Sequence, residues 1–168
     1  MDARGSAQLI KEALKEAGID FIGSLPDLKI AELVRAVEQD PAFKHISLCR
    51  EEEGIGICAG AYLTGKKTAL IMQNGGFLNC CNALTTTSLQ FEIPVLLLIY
   101  YAGDIGDRGF STLGSVTEPV LQALGIRCYT PRRPEEIKKT MRGAQVLAQD
   151  SKRPVAVLLT KDVLGVEP

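Results

Sequence analysis

The amino-acid sequence predicts an α/β fold, a three-layer sandwich in which a mostly parallel six-stranded sheet lies between two layers of helices. Segments with helical periodicity alternate along the chain with short apolar segments, the pattern of a parallel sheet. One of these segments, PVLLLIY at residues 94–100, is wholly apolar, which is typical of a strand buried on both faces. With 168 residues, 46% of them hydrophobic, the chain suits one domain spanning residues 1–168.

The amino-terminal half begins with a helix. The apolar positions of AQLIKEALKEAG recur at helical spacing and stop at Gly18, after which IDFIGSLP is interpreted as a strand that ends in a turn. The same alternation predicts the following elements: helix 27–39, strand 45–49, helix 52–65, strand 67–73, helix 77–91 and the central strand 94–100.

The carboxyl-terminal half starts with a segment of a different kind. Residues 101–115 are rich in Gly and Asp and show little periodicity, so we predict a long loop at the carboxyl end of the central strand. Alternation then resumes with helix 117–125, strand 126–129, helix 134–149 and strand 154–160. The sixth strand completes the sheet.

Composition limits the classes of function. The formal net charge is −1 and no basic block occurs, which argues against a nucleic-acid or membrane-surface partner. The five cysteines have neither an even count nor the spacing of a disulfide framework or zinc site, so a cytoplasmic location is expected. No segment reaches the roughly 18 apolar residues of a membrane helix. A small-molecule ligand is the expected partner.

Three segments follow predicted strands at the edge where ligands bind in parallel sheets. These are GSLPDLK at 23–29, CREEEG at 49–54 and QNGGFLNCCN at 73–82. In the first, Pro26 stiffens the strand exit, and Asp27 can either cap the next helix or border a binding pocket. In the third, the glycines permit either a tight turn or a phosphate cradle, and Gln73 and Asn74 bring amide groups to the sheet edge.

The three glutamates of CREEEG also allow two interpretations. All three can be solvated acids that stabilise a helix start through its amide dipoles. Alternatively, one of them points inward and serves a chemical purpose. The small residues Gly56, Ala59 and Gly60 leave little side-chain bulk on the same helix, so another surface can pack closely against it.

The spacing of these residues resembles the pyrimidine-binding domain of the thiamine diphosphate-dependent decarboxylases. Glu51 is followed by Gly56 and, nine positions after the glutamate, by Gly60. The similarity continues through AGAYLTGKKTALI and QNGGFLNCCNALTTTSLQFEIPVLLLIYYAGD and covers nearly the whole chain. It implies a 2-oxo acid decarboxylase that uses thiamine diphosphate and Mg²⁺.

The resemblance also implies roles for individual residues. Glu51 is the expected catalytic acid, because a carboxyl group beside N1′ of the aminopyrimidine can share a proton with that ring. The implied cofactor-binding residues are Glu51, Gln73, Asn74, Gly75, Gly76 and Asn79. The implied substrate-binding residues are Pro26, Asp27 and Gln73. No metal ligand is expected in this chain.

One departure from the family pattern implies a partner chain. Full-length members hold the diphosphate and Mg²⁺ with a G-D-G stretch and downstream asparagines, whereas this chain has AGDIGDRG at residues 102–109. A beta subunit is therefore expected to supply that domain in a hetero-oligomer. The alternative outside this class is a non-catalytic thiamine- or nucleotide-binding module in which Glu51 is dispensable.

The substrate implied by the resemblance is a small 2-oxo acid with a second anionic group, a sulfonate or a phosphonate. That group requires a cation, and Lys29, Arg50 and Arg108 stand near the carboxyl ends of predicted strands. His45, the only histidine, leads a predicted strand at the opposite end and is expected to be a surface residue. Cys58, Cys80 and Cys81 lie among small and apolar residues and are expected to pack in the core.

Overall fold

The computed structural model describes residues 1–167 and contains one six-stranded sheet. The strands are β1 (Phe21–Ser24), β2 (Lys44–Ser47), β3 (Thr68–Gln73), β4 (Leu96–Tyr100), β5 (Arg127–Tyr129) and β6 (Val155–Leu159). Their order is β2-β1-β3-β4-β6-β5, and every neighbouring pair is parallel. The predicted parallel sheet is confirmed, with β4 inside it between β3 and β6.

Within residues 1–167, eight α-helices connect and flank the strands. They are α1 (Ala3–Glu16), α2 (Ala31–Glu38), α3 (Glu51–Leu63), α4 (Asn74–Asn79), α5 (Cys81–Ala83), α6 (Ser111–Ala123), α7 (Ile137–Ser151) and α8 (Lys161–Leu164). A π-helical segment covers Leu84–Leu89 and a 3₁₀ turn covers Pro134–Glu136. Within residues 1–167, no helix combines the length and apolar character needed to cross a membrane.

Side chains of β4 alternate between two apolar layers. Leu96 and Leu98 face the layer of α1, α2 and α7, whereas Leu97 and Ile99 face the layer of α3, α4 and α6. All four are fully buried, as the apolar run 94–100 predicts for a central strand. The sheet thus holds its carboxyl edge between two packed layers of helices.

The predicted loop at residues 101–115 is too long, because α6 already begins at Ser111. The glycines at 103 and 114 are turn formers, so the segment lacked the apolar periodicity that would have predicted a helix. A Cβ at Gly114 would lie 2.2 Å from the carbonyl oxygen of Gly103, so only glycine allows the loop to pack on the helix. Phe110 precedes α6 in the left-handed conformation with φ of 56°.

The predicted helix 77–91 is also different in the structure. Helix α4 begins three residues earlier, at Asn74, and the segment becomes π-helical from Leu84. The hydroxyls of Thr85 and Thr86 donate to carbonyl oxygens four residues before them, a pattern that distorts a regular helix. Helix α8, after β6, was not predicted.

Candidate functional site

The three segments expected at the ligand edge follow strands that are neighbours in the sheet. Strand β1 lies between β2 and β3, so the segments after β1, β2 and β3 meet at one carboxyl edge. This edge contains most of the predicted site residues, which differ in their burial and in their hydrogen-bond partners.

Glu51 is the first residue of α3 and packs against the glycine-rich turn after β3. A Cβ placed on Gly76 would lie 2.2 Å from Glu51 Oε1 and 2.4 Å from Glu51 Cδ, closer than any side chain could approach. Gly76 is buried and Glu51 is half-buried. Throughout residues 1–167, the Glu51 carboxylate has neither a hydrogen bond nor an ion pair. Both of its oxygens are therefore free to bind a ligand.

The neighbouring glutamates have different surroundings. Glu53 is exposed, and its Oε1 accepts hydrogen bonds from the backbone N–H groups of Cys49 at 2.5 Å and Arg50 at 3.1 Å. Glu53 thus stabilises the helix start, as the sequence predicts. Glu52 pairs with Arg50 at 2.6 Å, but its Oε2 is shielded from solvent without a hydrogen-bond partner. Glu52 is therefore not one of the solvated acids of the first interpretation.

Asp27 and Gln73, two predicted substrate-binding residues, contact each other. Gln73 Nε2 donates to Asp27 Oδ2 at 3.2 Å, and the backbone N–H of Lys29 donates to Asp27 Oδ1 at 2.8 Å. Helix α2 begins only at Ala31 and has no side-chain cap, so Asp27 forms a local turn and does not cap the helix. Pro26, just before it, is exposed.

The two glycines of the turn face different site residues. A Cβ on Gly75 would lie 3.1 Å from Gln73 Oε1, whereas one on Gly76 would overlap Glu51. The turn therefore separates a Glu51 side from a Gln73 side.

The two asparagines differ from expectation. Asn74 is completely buried, and its Nδ2 donates to Ala102 O at 2.8 Å and to Thr117 Oγ1 at 3.0 Å. Its side chain is therefore part of the interior, which leaves the expected cofactor contact through this amide without an accessible donor. Asn79 is exposed at the last residue of α4, one turn beyond the glycines.

Two of the three candidate cations already have partners. Lys29 Nζ donates to Glu167 O at 2.7 Å, and Arg50 pairs with Glu52. Arg108 is exposed and makes no ion pair with any residue from 1 to 167. It is the candidate left free for a substrate anion.

His45 is not the surface residue that the sequence predicts. It is half-buried in β2, and its Nε2 lies 2.8 Å from Ser24 Oγ in β1. Burial lowers the pKa of His45, because desolvation disfavours the charged imidazolium.

Sequence reasoning missed a charged pair at the same sheet edge. Lys161, which begins α8 after β6, contacts Asp107 at 2.5 Å, and the Asp107 side chain is only 4% exposed. Asp107 also accepts from Gly103 N at 2.8 Å, which fixes the loop after β4. Burial, with Asp107 and Asp27 nearby, raises the pKa of Tyr100 to about 12. The only sequence signal was an isolated lysine directly after a buried strand.

Of the three cysteines near the site, Cys58 and Cys80 pack in the core, as predicted, whereas Cys81 does not. Burial raises the pKa of Cys58 and of Cys80 to about 12, and the charges of Glu51 and Glu52 contribute at Cys80. Cys81 is half-buried. None of these thiols has the depressed pKa of a nucleophile.

The surroundings of Glu51 suit a nitrogen heterocycle. A carboxylate without a partner stands against a wall that carries no side chain, and small residues follow it along α3. A flat ring can approach such a surface, and a ring nitrogen can share a proton with the carboxylate. The residues present therefore fit the aminopyrimidine of thiamine diphosphate.

Comparison with known proteins decides the family. Residues 4–103 match the model of the thiamine pyrophosphate enzyme, N-terminal TPP binding domain. The chain belongs to the thiamine pyrophosphate enzyme family. The match contains both Glu51 and the QNGG turn.

Curated relatives of this thiamine pyrophosphate enzyme chain include subunits of similar length. It is 35% identical to the sulfopyruvate decarboxylase subunit alpha of Methanococcus maripaludis over 156 residues, 92% of this chain and 93% of that protein. It is 41% identical to the corresponding subunit of Methanocaldococcus jannaschii, with 92% of each covered. A phosphonopyruvate decarboxylase of Streptomyces viridochromogenes is 24% identical over 168 residues, 42% of its length.

Solved structures share the fold. A 2-oxoglutarate:ferredoxin oxidoreductase from Magnetococcus marinus matches with a TM-score of 0.76 at 16% identity, over 95% of this chain and 29% of that one. A thiamine diphosphate-dependent 4-hydroxybenzoylformate decarboxylase from Rhodococcus jostii matches with a TM-score of 0.73 at 18% identity, over 96% of this chain and 31% of that one. This chain spans under a third of each of those proteins.

Proposed function

We propose that this chain is the alpha subunit of a two-subunit thiamine diphosphate-dependent decarboxylase that converts sulfopyruvate to sulfoacetaldehyde and carbon dioxide. The observation that carries the proposal is the unpartnered carboxylate of Glu51 against the bare surface of Gly76. The substrate is supported by the relatives named sulfopyruvate decarboxylase subunit alpha, which match along almost their whole length.

Thiamine diphosphate, when bound, supplies a nucleophilic carbon and an electron sink for loss of carbon dioxide. Glu51 would hold a proton at the pyrimidine ring, and Gly76 would leave the space in which the Glu51 side chain lies. Asp27 and Gln73, already joined to each other, would border the substrate. Of the three candidate cations, Arg108 is the one that has no ion pair among residues 1–167, and it would meet the sulfonate.

We propose that a beta subunit binds the diphosphate and Mg²⁺, since AGDIGDRG at 102–109 lacks the G-D-G sequence. Gly56 and Gly60 are evidence that the beta subunit binds to the surface of α3. A Cβ at either position would meet nothing within 4 Å in this chain, although glycine within a helix costs about 1 kcal/mol relative to alanine. Close approach of another chain would explain both residues. The five free cysteines suit the proposed cytoplasmic location.

Phosphonopyruvate is the second candidate substrate. The similarity to phosphonopyruvate decarboxylase supports this substrate. That similarity is weaker than the similarity to the sulfopyruvate decarboxylase subunits, and it covers less of the related protein. Sulfonate and phosphonate are both tetrahedral anions, so a single free cation such as Arg108 does not by itself distinguish them.

The test is to copurify the chain with a candidate beta subunit and to assay the complex with sulfopyruvate, phosphonopyruvate and pyruvate. We expect release of carbon dioxide from sulfopyruvate by the complex and none by the isolated chain. Full turnover by the isolated chain would contradict the divided site. Cofactor binding with no turnover of any substrate, in a complex where Glu51 is dispensable, would favour a non-catalytic module.

A further inference from the structure

The amide of Asn74 connects three parts of the fold. Asn74 is the first residue of α4 and follows Gln73 directly. Its side chain is fully buried, and both Nδ2 protons are used, one toward Ala102 O at 2.8 Å and one toward Thr117 Oγ1 at 3.0 Å. The turn after β3 is thereby joined to the segment after β4 and to α6.

Thr117 gives this connection a fixed direction. It is also fully buried, and its hydroxyl donates to Leu113 O at 2.7 Å within α6. Because that proton is already used, Thr117 Oγ1 must accept from Asn74. The hydrogen-bonded series runs from Asn74 through Thr117 to Leu113, so each donor has one acceptor.

The two residues after Asn74 are those that face the site. Gly75 approaches Gln73, and Gly76 approaches Glu51 so closely that no Cβ fits between them. Helix α6 supports the same turn, since a Cβ on Gly75 would be 3.8 Å from Leu113 Cδ2. A shift of the turn by a fraction of an ångström would change the surroundings of both Glu51 and Gln73.

We propose that Asn74 and Thr117 are positioning residues, which hold Gly75 and Gly76 at the separation from Gln73 and Glu51 that the reaction requires. The role in catalysis rests on the proposed function, whereas the role in holding the turn does not. In this arrangement α6, although outside the site, determines how Glu51 meets the cofactor.

The test compares Thr117→Val, which keeps the shape but removes the acceptor, with Thr117→Ser, which keeps the hydroxyl. Thr68→Val is the matched control, because Thr68 is equally buried at the opposite end of β3. Asn74→Asp is a second variant that replaces both donors while keeping the shape. If it does not fold, Thr117→Val carries the test.

Two measurements are made on each variant. Amide hydrogen exchange of residues 73–80 in the isolated chain reports on the turn, and C2 deuterium exchange of thiamine diphosphate in the assembled complex reports on Glu51. We expect Thr117→Val to lose protection at the turn and to slow C2 exchange about ten- to a hundredfold, the scale of a small misplacement. Thr117→Ser and Thr68→Val should stay close to wild type in both.

Two results would overturn the proposal. One is unchanged protection of residues 73–80 in Thr117→Val. The other is lost protection with C2 exchange no slower than in Thr68→Val, which would make the contact purely structural. If wild-type complex shows no C2 exchange at all, the proposed function fails, and the amide-exchange measurement alone decides whether Asn74 and Thr117 hold the turn.

Discussion

The carboxylate of Glu51 fills the space that a side chain at residue 76 would need, since a Cβ there would lie 2.2 Å from Glu51 Oε1. Position 76 is therefore a glycine because of a residue on another helix, 25 positions earlier in the chain. Its own backbone does not require glycine, since its φ is not positive.

Replacement of Gly76 by alanine should displace the Glu51 side chain and lower both stability and activity. The atoms it meets belong to a flexible side chain, so we expect a loss of about 1–3 kcal/mol in the free energy of unfolding, the usual cost of overpacking. Urea denaturation of the isolated chain measures this loss. Gly56→Ala is the control, because a Cβ there meets nothing within 4 Å, and should stabilise the helix by about 0.5–1 kcal/mol. Equal stability of the two variants would contradict the close packing.

Replacement of Asp27 by alanine should raise the KM for the 2-oxo acid more than it lowers the melting temperature. Asp27 accepts one hydrogen bond from Gln73 and one from Lys29 N, and it caps no helix. Loss of the first bond frees Gln73 beside the glycine turn. Steady-state kinetics and thermal unfolding on the same preparation separate the two effects. An unchanged KM together with a large fall in melting temperature would make Asp27 a structural residue only.

Replacement of Gly60 by arginine should prevent assembly without unfolding the chain. Gly60 is exposed on α3 and has open space around it, so the isolated variant should melt close to wild type. Size-exclusion chromatography with the beta subunit measures assembly. Gly143→Arg is the matched control, since Gly143 is also exposed with open space, on α7 in the other helical layer. Normal assembly of Gly60→Arg would remove α3 from the partner surface.

Alkaline pH should destabilise the chain through its buried thiols. Burial raises the pKa of Cys58 from its ordinary value of 9.0 to about 12, and that of Cys80 likewise. Between these values the unfolded chain releases protons that the folded chain keeps. The free energy of unfolding is therefore highest below pH 9. Between pH 9 and pH 12 it falls by about 1.4 kcal/mol per pH unit for each thiol.

The serine variant of Cys58 tests this dependence, because serine does not titrate in the same range. Its free energy of unfolding should fall less steeply with pH than that of wild type, whatever its value at pH 7. Parallel slopes for the two proteins would show that Cys58 ionises as readily in the folded chain as in the unfolded one.

The fold could be predicted from sequence because its strands are short apolar runs separated by helical periodicity. Strand β4 is the clearest case, since a wholly apolar run can only be buried on both faces. The start of α6 could not be predicted. The close contact between Gly103 and Gly114 requires glycine at both positions, and in the sequence these glycines indicate a loop. The π-helical segment depends on threonine hydroxyls that also suit an ordinary helix.

Within the candidate site, the positions of Glu51 and the QNGG turn could be predicted, but the environment of each side chain could not. Gln73 and Asn74 are adjacent residues with amide side chains, and the sequence does not show which way each side chain points. In the structure Gln73 contacts Asp27, whereas Asn74 is buried in the interior. The pairing of Lys161 with Asp107 joins residues 54 positions apart that carry no common motif. The contact of His45 with Ser24 depends on the register of two strands.

The most direct test of the account is deuterium exchange at C2 of thiamine diphosphate in the assembled complex, measured for Glu51→Gln, Glu52→Gln and Glu53→Gln. Glutamine keeps the shape of glutamate but cannot ionise, so Glu51→Gln should assemble normally and slow exchange by about 10²- to 10⁴-fold. Glu53 only contacts the helix start, and Glu52 pairs with Arg50, so their variants should exchange at rates close to wild type. Exchange in Glu51→Gln as fast as in wild type would contradict the account and make the three glutamates an ordinary helix start.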